Sequence, residues 1–536
     1  MAVVYHKNSK TGVTYVYENE PYWDKEKQQS RARRKPIGKV DPVTGDVMPT
    51  REYKKKGSVG GMNGLNAGPV AMTMLRRSFY GATYLLDQIG QITGVEADLK
   101  SCFPDTYKQI LSLAYYLIME DKNPLFRFER WGAIHKHPFG EDIPSQRSSE
   151  LFASITPGAQ ADFFRRQGKR RIENEYWAYD TTTISSYSET LRQVQFGKNK
   201  DGDDLPQLKL LLVFGEQSGL PFYYRKLAGN IPDSKTVKNF LVDLNVLGFR
   251  KVKLVMDRGF YREKNINGLY KEHLKFLIGA KISLTFVREA LDGAYDTIRT
   301  FENYSPSHDV YACTVASEWN YKQERPYKAD VLKEKRRIYI HLYYNIGKAA
   351  DDERDMDKFL AMLREELLSD ERNADHHKQY AEYFDVKHTP VRGIQVTAKD
   401  DAIKKAKRYY GFFALITNEK MDAWTALGLY RTKDVVEKAF GNLKERLNLR
   451  RTLVSAEQSL DGKLFVEFVS LIYLSYIHRR MQDQSLYKDY TLHEVLDKLD
   501  IIECFEYPGK KLVVSEILDK QRKLYSNLGV EPPTSP

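Results

Sequence analysis

The chain has 536 residues, of which 42% are hydrophobic and 29% charged, with 84 Lys plus Arg against 72 Asp plus Glu and a net charge of +12. These values exclude a disordered or fibrous chain and predict a globular protein of about three domains, with a basic balance suited to a polyanionic partner. Cys102, Cys313 and Cys504 stand too far apart in sequence for a disulfide framework or a zinc site, and they fit a reducing compartment.

Residues 1–60 read as a small polar unit that holds 13 basic and 7 acidic residues, and so half of the net charge. The opening MAVVYHKNSKTG lacks the apolar core of a signal peptide. Val13–Tyr17 alternates as a strand does. Arg31, Arg33, Arg34 and Lys35, and then Arg51, Lys54, Lys55 and Lys56, form two basic clusters around the turn sequence Asp41–Gly45, with Tyr15, Tyr17, Tyr22, Trp23 and Tyr53 interleaved. Such a segment is either a solvated leader or a DNA-contacting module, in which Lys and Arg neutralise phosphates and release counter-ions. Residues 57–64 are a Gly-rich linker. Apolar residues then recur at helical spacing from 66 to 120, and the helical texture continues to about residue 170, with Thr156-Pro157 as a helix start.

The texture changes at about residue 172. Glu175–Asp180, Leu208–Gly215 and Pro221–Lys226 read as strands, Ser234–Leu247 as a helix, and Lys251–Met256 and Lys275–Ala280 as two more strands. With a helix between the last two, this order predicts a mixed α/β sheet. Residues 283–409 interrupt it with strand-like runs at Tyr311–Ser317 and Ile338–Asn345 and a charged helix, Asp351–Glu371, whose acidic start suits its dipole. Gly411–Asn418 is a further strand, followed by a helix from about 431 to 448. Three helical segments close the chain: 457–480, 491–505 and 513–528. Within the first, Leu464–Ile477 is the most apolar stretch. It contains Glu467, is too short to span a bilayer, and reads as a buried helix. Neither secretion nor membrane insertion is expected.

Three acids are candidates for chemistry. Asp180 ends an aromatic strand, Asp257 ends an apolar one, and Glu437 lies in the helix after residue 430. Each alone is as readily a turn former or a cap. Together, carboxylates at strand ends suit Mg²⁺, which takes a few carboxylate oxygens and keeps water and phosphate oxygens. Two such ions about 4 Å apart activate an attacking oxygen and stabilise a leaving one. Tyr430, Lys433, Glu437 and Lys444 fall within about 60° of one another on a helix surface. That stripe is either a solvated face with a Lys433/Glu437 pair or a phosphate- and metal-holding surface, and Arg446, Arg450 and Arg451 follow it.

The stripe resembles the Y-(2)-R-(3)-E-(6)-K signature of DDE transposases of the insertion-sequence-four group, with Lys433 standing where the family has Arg. Tyr179–Thr182 resembles the family's first-Asp motif and Val255–Phe260 its second. Tyr22–Lys27 with Ile37–Lys39 is similar to the start of the larger, 1634-type branch, and Gly229-Asn230 with Asp233 fits the segment before the second Asp. The resemblance implies a ribonuclease-H-like catalytic core, a mixed five-stranded sheet with helices, interrupted by a β-rich insertion, with helical N-terminal and C-terminal regions. The division it implies is a basic DNA-binding unit (1–60), a helical DNA-binding or linker region (61–171), a first core part (172–282), the insertion (283–409), a second core part (410–455) and a C-terminal helical dimerisation region (456–536).

It further implies that Asp180, Asp257 and Glu437 bind two Mg²⁺ ions, or Mn²⁺, to cut transposon ends and join their 3′-OH groups to target DNA. A hairpin intermediate is one route. Tyr430, Lys433, Lys444, Arg258, Arg450 and Arg451 would contact DNA, as would Arg31, Arg33, Arg34, Lys35, Lys54, Lys55 and Lys56 at the terminal inverted repeats. Trp319 is either a core aromatic or a platform for a flipped base. The implied partners are double-stranded DNA, at transposon ends and target, and a second copy of the chain in a synaptic complex, with no membrane. The implied location is the bacterial cytoplasm at the nucleoid. Two other readings stay open: a related nuclease that cuts without joining, and a catalytically idle DNA-binding derivative.

Overall fold

The computed structural model describes residues 2–25, 27–42, 44–49, 75–120, 124–171, 175–198, 200, 202, 204–325, 328–369, 371–390, 393–433, 438, 441, 444, 447, 451–452 and 456–534. The chain divides into two compact units, residues 1–70 and 71–536.

The first unit is a four-stranded antiparallel sheet in the order β1 (Ala2–Lys7), β2 (Thr14–Asp24), β3 (Gln29–Val40) and β4 (Val47–Pro49). The strand expected at Val13–Tyr17 extends to Asp24, because its polar outer half pairs with β3 from Asn19 to Asp24. Arg31, Arg33, Arg34 and Lys35 all lie exposed on β3. Arg33 stacks over the Tyr22 ring at 5.1 Å, and Arg31 pairs with Asp24 at 3.3 Å. The linker 57–64 and Lys54, Lys55 and Lys56 lie outside the described residues.

The second unit opens with β5 (Arg76–Phe79) and the helices α1 (Gly81–Thr93), α2 (Val95–Cys102), α3 (Tyr107–Met119), α4 (Phe128–Ile134), α5 (Ser145–Ser154) and α6 (Pro157–Lys169). The expected start of α6 is observed: Thr156 Oγ1 accepts the Ala159 amide at 3.3 Å, and Pro157 presets the first helical φ. The sheet follows, with β6 (Tyr176–Ser186), β7 (Gln207–Gly215), β8 (Pro221–Ala228), α7 (Asp233–Leu247), β9 (Lys253–Met256), α8 (Glu263–Lys271) and β10 (Lys275–Ala280). Next come α9 (Thr285–Ala294), β11 (Tyr304–Ser305), β12 (Val310–Arg325), β13 (Asp330–Tyr344), α10 (Ile346–Leu368), α11 (His377–Tyr383), β14 (Phe384–Thr389), β15 (Gly393–Ala398), α12 (Asp400–Lys407), β16 (Phe412–Thr417) and α13 (Ala423–Arg431). The chain ends with β17 (Arg451–Thr452), α14 (Glu457–Asp483), α15 (Leu492–Asp500), β18 (Glu503–Glu506), β19 (Val513–Val514) and α16 (Asp519–Asn527).

The sheet has ten strands among the described residues, in the order β11-β12-β13-β16-β10-β9-β6-β7-β8 with β17 on β6. It is thus twice the five-stranded sheet expected. β6, β7 and β8 are antiparallel neighbours, whereas β6, β9 and β10 are parallel, joined by crossovers that carry α7 and α8. The added strands extend the β10 edge: β16 pairs antiparallel with β10, and β13 with β16. Short apolar runs show that a strand exists but not which edge it joins.

Beneath the helical layer, α14 is buried along Leu464–Ser475, as its apolar run predicts, and Glu467 is fully enclosed. Gly462 lets α14 cross α5 closely, since a Cβ there would lie 2.2 Å from the Phe152 carbonyl oxygen. Among the described residues no helix is long and apolar enough to cross a membrane.

Three helix readings are corrected. α10 starts at Ile346, five residues early, because Asn345 Oδ1 caps the Lys348 amide at 2.6 Å. Its first turn therefore has no acid, and Asp352 instead takes Lys348 and the Gly411 amide. The segment 491–505 is helical only to Asp500, and 513–528 only from Asp519. Cys504 and Phe505 pair with Ser78 and Arg77 of β5 on one side and with Val514 and Val513 on the other. Most of the helix expected over 431–448 lies outside the described residues.

Candidate active site

β6 and β9 run side by side in parallel, with Tyr179 opposite Met256. The next residues are Asp180 and Asp257. Asp257 is the first residue beyond β9 and precedes a short 3₁₀ turn, Arg258–Phe260. Asp180 does not end its strand as expected. Thr181 to Ser185 continue the ladder against β7, a run whose β-branched Thr and Ile residues suit a strand. The acids therefore flank the point at which the β6–β9 ladder stops while β6 continues against β7.

Asp257 is clamped from α13 and the turn after it. The Tyr430 hydroxyl donates to Asp257 Oδ1 at 2.6 Å, and Lys433 Nζ lies 3.3 Å from the same oxygen. The Lys433 ammonium also sits 5.3 Å from the Tyr430 ring centre. Burial pushes the Asp257 carboxyl up, but the Tyr430 hydroxyl and the Lys433 charge outweigh it and hold the group below the usual carboxylate range. Asp180 goes the other way. Burial raises it, the Asp257 charge adds to the rise, and Lys200, the Thr181 amide and Lys433 offset only part. Asp180 therefore senses the Asp257 charge, and both acids sense Lys433. Gly279 of β10 makes the phenol's position possible, since a Cβ there would lie 2.8 Å from the Tyr430 hydroxyl and 3.0 Å from the Arg258 amide nitrogen.

A second charged group adjoins Asp180. Asp233, the first residue of α7, accepts from Lys209 Nζ at 2.5 Å and from Thr181 Oγ1 at 2.8 Å. Lys200 Nζ lies 3.6 Å from Asp180 Oδ1 and 3.9 Å from Asp233 Oδ2. Neither lysine was singled out from the sequence. One signal was available: Lys209 is a lone charge in the apolar run Leu208–Phe214, and a buried ammonium needs a carboxylate partner.

The structure thus brings Asp180, Asp257, Tyr430 and Lys433 together. Exposed Arg258 lines an adjoining cleft of ≈ 530 Å³ with Lys281, Lys348, Tyr409 and Phe413. Lys444 is half-buried. Glu437 and Arg450 lie outside the described residues, as does the side chain of Arg451, whose backbone pairs with Ser185. Trp319 is a core residue: its indole donates to Asn267 Oδ1 at 2.8 Å and its ring meets Phe286 edge-on. Trp177 likewise packs on Phe222 and Phe249. No group of three or more His, Cys, Asp or Glu able to hold a metal occurs among the described residues. Asp180 and Asp257 are two neighbouring carboxylates, each met by ammonium or hydroxyl groups.

The strand arrangement and the paired acids define a mixed α/β protein with a charged site at one edge of its parallel ladder. The family model for the transposase DDE domain matches residues 177–472, which take in both acids, Tyr430 and Lys433. The chain belongs to the DDE-domain transposases, and it is a DNA transposase, an enzyme that uses divalent metal ions and acts on DNA. The chain is also similar to one in a cryo-EM structure of the piggyBac transposase synaptic complex with hairpin DNA, at 10% identity over 74% of this chain and 70% of that chain, with a TM-score of 0.35. A comparison with curated proteins gives no match.

Proposed function

We propose that the protein binds the terminal inverted repeats of an insertion sequence, cleaves DNA at the ends and joins the 3′-OH ends to target DNA by two-metal phosphoryl transfer. The observation that carries this reading is the pairing of Asp180 with Asp257 at the open end of the β6–β9 ladder, with Tyr430 and Lys433 on Asp257.

The order β8-β7-β6-β9-β10, antiparallel on one side of β6 and parallel on the other with helical crossovers, supports a ribonuclease-H-like core. The strands within 304–344 support an insertion between the second acid and Glu437. Tyr430, Lys433, Glu437 and Lys444 support membership of the insertion-sequence-four group, and Tyr22–Lys27 with Ile37–Lys39 its 1634-type branch. Asp180 and Asp257 present hard carboxylate oxygens, the donor type that Mg²⁺ or Mn²⁺ takes, and Glu437 completes the set in this reading. When bound, two such ions supply Lewis acidity to the attacking and leaving oxygens.

The side chains have separate tasks. Tyr430 and Lys433 keep Asp257 ionised and fix its orientation. Arg258, Lys444, Arg450 and Arg451 neutralise backbone phosphates near the cut. The exposed arginines and Lys35 on β3 hold the repeats. Two copies of the chain join two ends, and a hairpin is one route by which the second strand is freed. Trp319, in the core, takes no part in these contacts.

The test is cleavage of labelled element-end DNA with Mg²⁺ by the wild type and by Asp257→Ala. The expected result is cutting by the wild type alone, with a free 3′-OH or a hairpin at the end. Equal cutting by both proteins removes Asp257 from the site. Binding without cutting by the wild type leaves an idle DNA-binding protein.

A further inference from the structure

Lys200 reaches the acids from the loop between β6 and β7. Its amide donates to Thr183 Oγ1 at 3.1 Å, which ties its backbone to β6. Its ammonium donates to the Thr181 carbonyl and lies 3.4 Å from Thr181 Oγ1. From that anchorage it faces two carboxylates at once, Asp180 Oδ1 at 3.6 Å and Asp233 Oδ2 at 3.9 Å.

The two acids differ in what else they have. Asp233 takes short bonds from Lys209 and Thr181, so its charge is matched without Lys200. Asp180 takes the neighbouring Thr181 amide at 2.7 Å, and Lys200 is the nearest cation to it among the described residues. Both Lys200 contacts are longer than a direct charged hydrogen bond, which centres near 2.8 Å. A long, shared contact from a side chain that is 38% exposed is one that a stronger cation displaces readily.

We propose that Lys200 is a displaceable counter-ion. In the cation-free protein its ammonium neutralises Asp180, and binding of a divalent ion at Asp180 drives it off toward a phosphate of the bound DNA. Lys200 is a positioning residue in this account. The inference rests on the reading of Asp180 as a metal ligand.

The test is Mn²⁺ binding to the DNA-free full chain, measured by titration calorimetry and by the Mn²⁺ spin-resonance signal, for the wild type, Lys200→Met, Lys200→Arg and Asp180→Asn. Removing a competing, part-exposed ammonium makes Mn²⁺ binding about three- to fivefold tighter in Lys200→Met. Lys200→Arg stays within about twofold of the wild type, because the charge is kept. In end-DNA binding with Mn²⁺ present, the salt dependence of Lys200→Met falls by about one phosphate contact. Lys200→Gln replaces Lys200→Met if the latter fails to fold, as judged by its unfolding midpoint. Unchanged or weaker Mn²⁺ binding in the neutral variant, with binding lost in Asp180→Asn, overturns the counter-ion role alone. Full Mn²⁺ binding by Asp180→Asn overturns the metal-ligand reading, and the counter-ion role falls with it.

Discussion

Gly279→Ala tests whether the Tyr430–Asp257 contact organises the site. The new Cβ would lie 2.8 Å from the Tyr430 hydroxyl oxygen, 3.0 Å from the Arg258 amide nitrogen and 3.2 Å from the Arg258 Cβ. The backbone of β10 cannot retreat, because Gly279 is paired with Leu415 of β16. The phenol must move instead, and its 2.6 Å bond to Asp257 lengthens or breaks. Overpacking of this kind costs about 1–3 kcal/mol, roughly five- to hundredfold in rate if it falls on the transition state. Tyr430→Phe removes the hydroxyl without the clash. A hydrogen bond to a carboxylate contributes about 1.5–3 kcal/mol, here nearer 1 because Asp257 is 38% exposed. In the Tyr430→Phe background the closest clash is gone, so Gly279→Ala should cost about 1 kcal/mol less than in the wild type. The assay is single-turnover cleavage of end DNA by the four proteins of the cycle, with thermal unfolding as a check on folding. Wild-type rates for Gly279→Ala, or strictly additive losses, refute the argument.

The other predictions concern charge. Lys433→Met should slow cleavage about tenfold by removing the ammonium 3.3 Å from Asp257, and Lys433→Arg should recover most of the loss; a wild-type rate for Lys433→Met would mean that Lys433 belongs to a solvated face. Glu467, fully buried with Lys463 at 3.6 Å, has its carboxyl pushed up to about 7 by burial. An acid whose folded pKa is raised contributes stability at low pH that is lost as pH climbs from the unfolded value of about 4.3 to the folded value. Glu467→Gln should therefore match the wild type near pH 5 and exceed it at pH 8 by on the order of 3 kcal/mol, since one pKa unit is about 1.4 kcal/mol. Parallel unfolding midpoints across that range would contradict the assignment.

The parts of the fold legible in the sequence are those whose pattern is local. Lys275–Ala280 is a strand with the expected bounds, and Ser234–Leu247 differs from α7 by one residue, because apolar runs and periodic faces carry their own signal. β12 and β13 read short. Only their inner ends are apolar, whereas Glu318–Arg325 and Asp330–Arg337 are mainly polar and are held by pairing with each other. The strand end expected at Asp180 failed for a similar reason, since Thr181–Ser185 owes its extension to β7. Asp180 and Asp257, read from strand ends and motif resemblance, and Tyr430 and Lys433, read from helical spacing, lie together in the fold. Lys200, Lys209 and Gly279 were not legible, since each acts across the sheet on a residue distant in sequence.

Under the proposed insertion-sequence-four grouping, Lys433 stands where the signature has Arg, whose planar fork binds two acceptors at once. The geometry around Asp257 supplies two separate donors in place of that fork. Tyr430 and Lys433 both address Asp257 Oδ1, at 2.6 and 3.3 Å, so two donors from two residues converge where one guanidinium would supply both. The ammonium also rests 5.3 Å from the ring centre of the Tyr430 phenol, which links the two donors to each other. An arginine at 433 would address the carboxylate beside the Tyr430 hydroxyl, and its wider guanidinium would compete with the phenol for Oδ1. Recovery by Lys433→Arg should therefore be more complete in the Tyr430→Phe background than alone. Equal recovery in both backgrounds would mean that the phenol and the ammonium act on Asp257 independently.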